Sequence, residues 1–219
     1  MAGIDEILIG MDALEFLQHR GFPALRSEAA RQPQEAIDAA QEIGFPVALK
    51  ISSPDILHKT EVKGVLVDLR DEAEVKEGFE RLWTEVISLR PEARIEEVVV
   101  QEMGRGREVI IGATHDTQFG PVIMFGLGGI FVEVLQDVSF RVIPIEGKDA
   151  QEMIRELRGF PILSGARGGE VNLEAIGALL LRVSSLVNNS PDIREMDLNP
   201  VFVNAKGCAI SDARIRMKG

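Results

Sequence analysis

The stretch Ile193-Arg194-Glu195-Met196-Asp197-Leu198-Asn199-Pro200-Val201-Phe202-Val203 is rich in apolar residues, and polar and apolar side chains alternate from Glu195 to Asn199. This period of two predicts a β-strand. Four turn residues, Asn204 to Gly207, separate it from a second apolar run, Cys208 to Ser211. Such a tight connection predicts an antiparallel hairpin, which disfavours a doubly wound parallel sheet.

Outside this stretch, apolar residues recur at helical spacing in five segments. The most regular of them begins with Asp71 and Glu74 in capping-box spacing, and the last is entered through Asn172, a predicted N-cap. The apolar positions are Ile7, Met11 and Leu14; Ala36, Ala40 and Ile43; Val75, Phe79, Leu82, Val86 and Leu89; Ala150, Ile154 and Leu157; and Ile176, Leu180, Val183 and Val187.

Between the helical segments lie short apolar runs that predict further strands. They are Val47 to Ile51, Val65 to Leu69, Val98 to Gln101, Val109 to Ala113, Pro121 to Phe125 and Phe140 to Ile145. The short connection Met103 to Gly106 predicts another hairpin. The pattern predicts an α+β fold with largely antiparallel sheets, in which a helical segment 1–22 precedes two lobes, 23–100 and 101–219.

Composition limits the classes of function. The chain has 219 residues, a net charge of −11 and one cysteine. The acidic balance and the lack of a basic stripe disfavour nucleic acid as a partner. No apolar run approaches the roughly 20 residues of a membrane span, and a single cysteine cannot form an internal disulfide. We therefore expect a cytoplasmic protein without a membrane anchor.

The segment from Lys50 to Gly64 concentrates basic and imidazole groups in an acidic chain. Lys50 lies near the end of a predicted strand, and His58, Lys59 and Lys63 follow in a loop. Lysines can hold phosphate oxygens, and the pKa range of histidine suits nucleophilic work near neutral pH. The alternative interpretation is a solvated surface loop.

A second group of polar residues lies on the opening stretch and after its hairpin. In an extended strand, Glu195, Asp197 and Asn199 point to one face, and Asp212 follows the returning run. Oxygen ligands on one face suit Mg²⁺, which one or two carboxylates, nucleotide phosphates and water normally hold. The alternative is a polar outer face of the sheet.

Two further segments are weak signals when taken alone. The predicted hairpin from Gln101 to Glu108 could contact a base and a ribose, or form plain turn structure. The glycine-rich segment from Phe125 to Glu133 has neither the lysine of a P-loop nor the glycine spacing of a dinucleotide fingerprint. Its glycines allow either close approach of a ligand or a sharp turn.

Taken in order, these motifs resemble the β subunit of NDP-forming acyl-CoA synthetases, the ADP-forming acetyl-CoA synthetase group related to succinyl-CoA synthetase. The resemblance spans nearly the whole chain and implies an ATP-grasp fold, in which two α+β lobes clasp a nucleotide. The matching stretches are Gly44 to Lys50, Ser53 to Lys59, Gln101 to Met103, Arg107 to Gly112, Gln118 to Pro121, Phe125 to Glu133, Ser139 to Arg141, and Asp197 to Pro200 with Asp212.

The resemblance implies a role for each matching residue. His58 matches the histidine that receives a phosphoryl group from a partner histidine and passes it to ADP. Asp197 matches the carboxylate that orients the phosphohistidine. Asn199 and Asp212 match Mg²⁺ ligands. Lys50 matches the lysine that contacts nucleotide phosphates, and Lys59 of the following loop is a second candidate for binding the nucleotide. Glu102 and Met103 match the adenine hinge, and Glu108 matches a nucleotide-contacting carboxylate. The glycine-rich loop that faces the incoming phosphohistidine is matched by Gly128, Gly129 and Glu133, of which Glu133 is a catalytic candidate.

The implied activity is one half of an acid–thiol ligase reaction with ADP or ATP as substrate and Mg²⁺ as cofactor. A CoA-binding α subunit would supply the other half, in an α2β2 assembly. The alternatives are an ATP-grasp carboxylate–amine ligase and a non-catalytic nucleotide-sensing domain. The chain departs from the family pattern at Lys63, where relatives usually have glycine.

Overall fold

The computed structural model describes residues 5–56, 59–129, 136–166, 169 and 171–219. The described helices are α1 Gly10–Gln18, α2 Pro33–Ile43, α3 Glu72–Leu89, α4 Gly147–Arg155, α5 Phe160–Leu163 and α6 Leu173–Asn189. The strands are β1 Glu6–Leu8, β2 Ser27–Ala30, β3 Val47–Ser52, β4 Val65–Leu69, β5 Glu97–Glu102, β6 Arg107–Asp116, β7 Gly120–Leu127, β8 Val138–Val142, β9 Ile193–Asn204, β10 Gly207–Ile210 and β11 Ala213–Met217. Among the described helices, none has the length and apolar character needed to cross a bilayer.

The chain divides into two compact units. The small unit comprises Ile9–Glu15 and Leu25–Met103, and the large unit comprises Met1–Leu8, Phe16–Ala24 and Gly104–Gly219. The first 24 residues therefore contribute to both units. The lobe boundaries predicted at residues 22 and 100 stay a prediction.

The small unit is built on a four-stranded antiparallel sheet in the order β2-β5-β3-β4. Helix α3 buries its predicted apolar stripe, Val75, Phe79, Leu82 and Val86, in one core with the buried side chains of β3 and β5. Each such side chain contributes roughly 1.5–3 kcal/mol on burial. Buried and exposed residues do not alternate along β3, because both faces of this strand are covered.

Helix α3 begins as predicted. The carboxylate of Asp71 accepts a hydrogen bond from the backbone N–H of Glu74 (2.8 Å), and the carboxylate of Glu74 accepts one from the N–H of Arg70 (2.7 Å). The returning bond goes to the residue before the N-cap, one position earlier than in a standard capping box. Both bonds satisfy N–H groups that the helix itself cannot pair.

The large unit is built on a seven-stranded antiparallel sheet in the order β1-β11-β9-β6-β7-β8, with β10 paired to β9. Helix α6 packs on β6 and β7, and α4 packs on β8 and α6. The predicted stripe of α6, Ile176, Leu180, Val183 and Val187, is buried. The predicted N-cap is confirmed, because the side chain of Asn172 accepts a hydrogen bond from the N–H of Ala175 (2.9 Å).

Two local predictions are wrong. Ile7 does not open the first helix, because it lies in β1 opposite Arg216 of β11, and α1 begins at Gly10. Met103 to Gly106 is not a hairpin turn, because β5 and β6 belong to different sheets. The second predicted turn is confirmed: residues 204–207 join β9 to β10, with Gly207 opposite Asn204.

Candidate functional site

Strand β9 presents the predicted polar residues to one face of the large sheet. Met196 and Leu198 are buried on the face that packs against the helices, while Glu195, Asp197 and Asn199 alternate with them and remain partly or fully exposed. The predicted common face of these three side chains is therefore confirmed.

Asn199 and Asp212 lie directly opposite each other. The backbone N–H of Asn199 donates a hydrogen bond to the carbonyl of Asp212 (3.1 Å), and the N–H of Ser211 donates one to the carbonyl of Pro200 (3.0 Å). Asp212 precedes β11, in which Ala213 is paired with Leu198. The hydrogen-bonded backbones thus place the two predicted metal ligands side by side.

The pairing of β9 with β6 is irregular at this point. Val109 faces Val201 and Ile111 faces Leu198, so that Asn199 and Pro200 together oppose Ile110. The bulge changes which residues of β9 point to the core. Asn199 is exposed, whereas Val201 and Val203, two and four residues further along the strand, are buried. Bulges of this kind re-aim side chains, and this one lies at a predicted ligand.

The donor set of Asn199 and Asp212 fits magnesium. The described residues contain no group of three or more His, Cys, Asp or Glu that could hold a metal ion by themselves. One carboxylate and one amide oxygen are hard donors, and Mg²⁺ commonly takes only one or two protein ligands beside nucleotide phosphates and water. The pair would therefore hold the ion together with a nucleotide rather than alone.

A pocket of about 270 Å³ in the large unit brings three other predicted residues together, Glu108, Gly128 and Gly129. The N–H of Gly128 donates a hydrogen bond to the carbonyl of Glu108 (2.8 Å). A Cβ at Gly128 would lie 2.8 Å from the Cβ of Glu108, so only glycine fits there without displacement. Arg107 and Ile162 also line this pocket.

In the small unit, Lys50 is held by a chain of hydrogen bonds. Its Nζ donates to Oε1 of Gln101 (2.6 Å), and Nε2 of Gln101 donates to Oγ of Ser27 (2.8 Å). Gln101 is buried, with 1% of its surface exposed. The ammonium group is therefore fixed by a side chain that was not among the predicted site residues.

Glu102 and Met103 lie at the end of β5. The carboxylate of Glu102 accepts a hydrogen bond from the N–H of Arg26 (2.8 Å), and the N–H of Glu102 donates to the carbonyl of Arg26 (2.9 Å). The sulfur of Met103 accepts one from the N–H of Asp68 (3.4 Å). Glu102 is paired with Val47 and lies three residues, roughly 10 Å, along β5 from the partner of Lys50.

The loop after β3 is anchored on both sides. Ile56 and Val62 are buried in the core of the small unit, and the carboxylate of Asp55 accepts a hydrogen bond from the N–H of Arg94 (2.8 Å). Lys59 begins a 3-10 turn, Lys59–Val62, and its carbonyl accepts a hydrogen bond from Gly64 (2.7 Å). His58 lies outside the described residues.

Lys63 adopts a left-handed backbone conformation with φ of 54°. Glycine is the residue that takes this conformation without steric cost. The chain thus has lysine, where the resemblance implies glycine, at a position whose backbone conformation favours glycine.

Glu133 also lies outside the described residues, which resume at Gln136. Asp137 is buried there, and its carboxylate accepts hydrogen bonds from the N–H groups of Arg158 (2.8 Å) and Gly159 (2.7 Å). Nothing in the local sequence pattern marks Asp137 or Gln101 as an anchor, because both act through contacts distant in sequence.

A family model described as an ATP-grasp domain matches residues 2–217. The chain belongs to the ATP-grasp family. The predicted fold class is thus confirmed, and the two α+β units are those of an ATP-grasp chain.

The ATP-grasp chain is similar to the β subunit of acetate–CoA ligase [ADP-forming] II of Pyrococcus furiosus. The two are 48% identical over 217 residues, which cover 97% of this chain and 92% of the relative. The similarity therefore extends over almost all of both proteins.

Two solved structures of Candidatus Korarchaeum cryptofilum dinucleotide forming acetyl-coenzyme A synthetase 1 are also similar. One, in complex with coenzyme A, Ca-AMPCP and HgCl+, has a TM-score of 0.93 at 44% identity and covers 97% of this chain and 94% of that chain. The other holds coenzyme A and Mg-AMPPCP, with its phosphohistidine segment pointing towards the nucleotide binding site. Its TM-score is 0.82 at 40% identity, with coverage of 97% and 93%.

Proposed function

We propose that the chain is the nucleotide-binding β subunit of an ADP-forming acyl-CoA synthetase. The net reaction is acyl-CoA + ADP + phosphate ⇌ carboxylate + CoA + ATP. The observation that carries the proposal is the hydrogen-bonded placement of Asn199 opposite Asp212, in a chain similar over 97% of its length to the β subunit of such a ligase.

In this mechanism the phosphoryl group moves in two steps. A neutral imidazole nitrogen of His58 attacks the phosphorus of a phosphohistidine on the partner, and one N–P bond forms as the other breaks. A terminal oxygen of ADP then attacks the same phosphorus, which breaks the N–P bond to His58 and yields ATP. Two short transfers replace one long transfer.

The residues of the chain would align the reactants and neutralise their charge, which is most of what phosphoryl transfer requires. Lys50, fixed by Gln101, would hold phosphate oxygens. Asn199 and Asp212 would hold Mg²⁺, which when bound neutralises the phosphates of the nucleotide. Glu108, Gly128 and Gly129 would line the approach to the nucleotide, with Glu133 close to them in sequence.

The base would be recognised at the end of β5, where Glu102 and Met103 lie. The side chain of Glu102 is already engaged by the backbone of Arg26, and the sulfur of Met103 by that of Asp68. The N–H of Glu102 is bonded to the carbonyl of Arg26 as well, so the backbone of Met103 would supply the donor and acceptor for an adenine edge.

A CoA-binding α subunit would complete the enzyme, as an α2β2 heterotetramer in the cytoplasm. The predicted roles of Lys59 and Asp197 belong to the same proposal: Lys59 would stay near the phosphates, and Asp197 would orient a histidine.

The test is phosphorylation of His58 by ATP and Mg²⁺ in the isolated chain, followed by mass spectrometry under conditions that preserve phosphohistidine. We expect one acid-labile phosphate at His58 and none after His58→Ala, with nucleotide affinity within about threefold of wild type, since His58 accepts the phosphoryl group rather than holding the nucleotide. The chain has three histidines, so His19→Ala and His115→Ala are matched controls that should retain labelling.

Phosphate on His19 or His115, or undiminished labelling of His58→Ala, would contradict the assignment. Nucleotide binding without any phosphohistidine in the wild type would support the nucleotide-sensing alternative instead.

A further inference from the structure

The hydrogen bonds that hold Lys50 continue beyond Gln101, and all of them run in one direction. Nζ of Lys50 donates to Oε1 of Gln101 (2.6 Å), and Nε2 of Gln101 donates to Oγ of Ser27 (2.8 Å). The hydroxyl of Ser27 in turn donates to the backbone carbonyl of Leu25 (2.9 Å). These three hydrogen bonds form one connected series, the Ser27 series, and all of its residues belong to the small unit.

The four-stranded sheet of the small unit sets the spacing of this series. Ser27 of β2 lies directly opposite Gln101 of β5. Lys50 of β3 lies opposite Val99, two residues before Gln101 on the same strand. Side chains two residues apart on a strand point to one face, so Lys50 and Gln101 are diagonal neighbours on that face. The pairing of three strands therefore brings the members of the series into contact.

The amide of Gln101 can hold Lys50 in only one of its two orientations. An ammonium group has three donors and no acceptor, so the amide must turn its oxygen, and not its NH2 group, towards Lys50. Gln101 is buried, so its NH2 group needs a partner within the protein. Ser27 is that partner, because its own proton is donated to Leu25 and its lone pairs accept from Nε2. Consecutive bonds of this kind polarise and strengthen one another.

The acceptor that Gln101 offers to Lys50 is neutral. A carboxylate in the same place would also hold the ammonium group, but it would offset the positive charge that attracts phosphate. The amide oxygen fixes the position of the ammonium group and adds no negative charge beside it. The Ser27 series therefore suits a lysine that binds an anion.

We propose that Ser27 is a positioning residue for nucleotide phosphates, because through Gln101 it directs the ammonium group of Lys50 towards the phosphate oxygens of ADP and ATP. The inference rests on the proposed function and adds to it a residue on the edge strand β2 that acts through two other side chains. Loss of the Ser27 hydroxyl frees the amide of Gln101 to turn over, which would place its NH2 group against the ammonium group of Lys50.

The test compares the affinities of the full-length chain for ADP and for adenosine, which has the base and ribose but no phosphate. Titration calorimetry at one Mg²⁺ concentration gives both values. We expect Ser27→Ala to weaken ADP binding about 3–10-fold, the range of one net hydrogen bond, and to change adenosine binding less than about twofold. A purely structural role of Ser27 would not separate the two ligands.

Two variants serve as controls. Ser27→Thr retains the hydroxyl group and should restore the affinity for ADP to within about twofold of wild type. Ser52→Ala is the matched control on the same sheet. Ser52 is also buried, and within the described part of the chain its hydroxyl group has no hydrogen-bond partner. Its removal should leave both affinities unchanged.

A second measurement needs no nucleotide. The side-chain NH2 protons of Gln101, assigned by their loss in Gln101→Leu, can be followed in proton–nitrogen NMR spectra. Their exchange with solvent should be at least about tenfold faster in Ser27→Ala than in wild type, because the hydrogen bond that protects them is gone. Ser27→Thr and Ser52→Ala should exchange as wild type does.

The inference is overturned if Ser27→Ala leaves the affinity for ADP unchanged, if it weakens ADP and adenosine equally, or if exchange at Gln101 stays as in wild type. A Ser27→Thr variant that behaves like Ser27→Ala would also overturn it. Failure of the proposed function has a different signature, namely no phosphate on His58 in a chain that still binds ADP, and the two affinities then still decide the role of Ser27. A wild-type chain that bound no ADP would overturn both proposals.

Discussion

The two units hold their candidate residues by different means. In the large unit, Asn199 and Asp212 are fixed by paired backbones, and Asp197 lies in the same ladder. In the small unit, Lys50 lies on a strand, and among the described residues of the loop that follows, Ile56, Val62 and the carboxylate of Asp55 fasten the loop to the core and to Arg94.

This difference matches the chemistry proposed for each unit. Metal and phosphate ligands need fixed distances, which strands in register provide better than loops. A residue that receives a phosphoryl group from one molecule and gives it to another has two partners to reach, and an anchored loop suits that task. The large unit should therefore be sensitive to small backbone changes, and the small unit should tolerate them.

The largest effect is expected for Gly106→Ala in the large unit. Gly106 has φ of 120°, and a Cβ there would overlap the carbonyl oxygen of Val203. The substitution should lower the free energy of unfolding by about 3 kcal/mol or more, because backbone of β9 must move. Urea denaturation followed by circular dichroism measures it.

Gly120→Ala is the matched control for this change. Gly120 also has a positive φ, 78°, but nothing lies within 4 Å of the position that a Cβ would take. It should cost only about 1 kcal/mol, the usual penalty of a left-handed residue. Equal losses for the two variants would contradict the sensitivity assigned to β9.

The next effect concerns the proposed metal pair. Asp212→Ala should weaken ADP binding in the presence of Mg²⁺ by about 10–100-fold and have little effect without the metal, because the carboxylate acts through the ion. Isothermal titration calorimetry gives both affinities. Asp192→Ala, an exposed aspartate before β9, is the control, and an equal loss without Mg²⁺ would argue against a metal role.

The carboxyl group of Glu97 should make the stability of the small unit depend on pH. Burial raises the pKa of its carboxyl group, and the N–H of Met11 and the charge of Arg31 only partly oppose this. A raised pKa means that its contribution to stability is complete below the ordinary pKa and is lost as the pH rises through the folded value. Glu97→Gln should therefore show a small gain in stability relative to wild type as the pH rises above the ordinary pKa of a glutamate.

Thermal unfolding at several pH values measures this difference. Glu96→Gln, its more exposed neighbour, should show no such trend. A Glu97→Gln variant that loses stability relative to wild type on going from acid to neutral pH would reverse the sign and refute the interpretation.

The smallest effect is expected for Lys63→Gly in the anchored loop. Relief of the left-handed conformation and the greater freedom of glycine in the unfolded chain nearly cancel, so the free energy of unfolding should change by less than about 0.5 kcal/mol. Lys206→Gly, in a turn without positive φ at that residue, should be destabilising. If Lys63→Gly and Lys206→Gly lower the calorimetric melting temperature by similar amounts, the backbone at Lys63 is not strained.

Much of the fold follows from local patterns, because helices α2, α3 and α6 carry apolar stripes that agree with their packing, and α3 and α6 also begin at predicted cap residues. Strand β2 could not be found in this way. Its sequence, Ser27 to Ala30, has no β-branched residue, and it is a strand because β5 pairs with it.

The wrong prediction of a hairpin at Met103 to Gly106 has a related cause. A short glycine-containing connection is compatible with a return to the same sheet or with passage to another one, and local turn chemistry does not distinguish them. Strand pairing distinguishes them in the structure, because β5 pairs with β2 and β3 whereas β6 pairs with β7 and β9.

In the candidate site, too, the sequence predicted the features that depend on local patterns and missed those that depend on distant contacts. The alternation of Glu195, Asp197 and Asn199 and the position of Asp212 were readable, because each depends on a strand and its hairpin. The tethering of Lys50 by Gln101 and the hydrogen bonds that Asp137 accepts from Arg158 and Gly159 depend on neighbours far away in the sequence.

The core of the small unit also contains an optical label. Trp83 stacks on Phe79, with ring centroids 6.0 Å apart, and the chain has no other tryptophan and no tyrosine. Emission excited at the red edge of tryptophan absorption therefore originates in the small unit alone, whereas far-ultraviolet dichroism samples both units. Comparing the two signals during unfolding shows, without any engineered dye, whether the halves of the chain melt together or in turn.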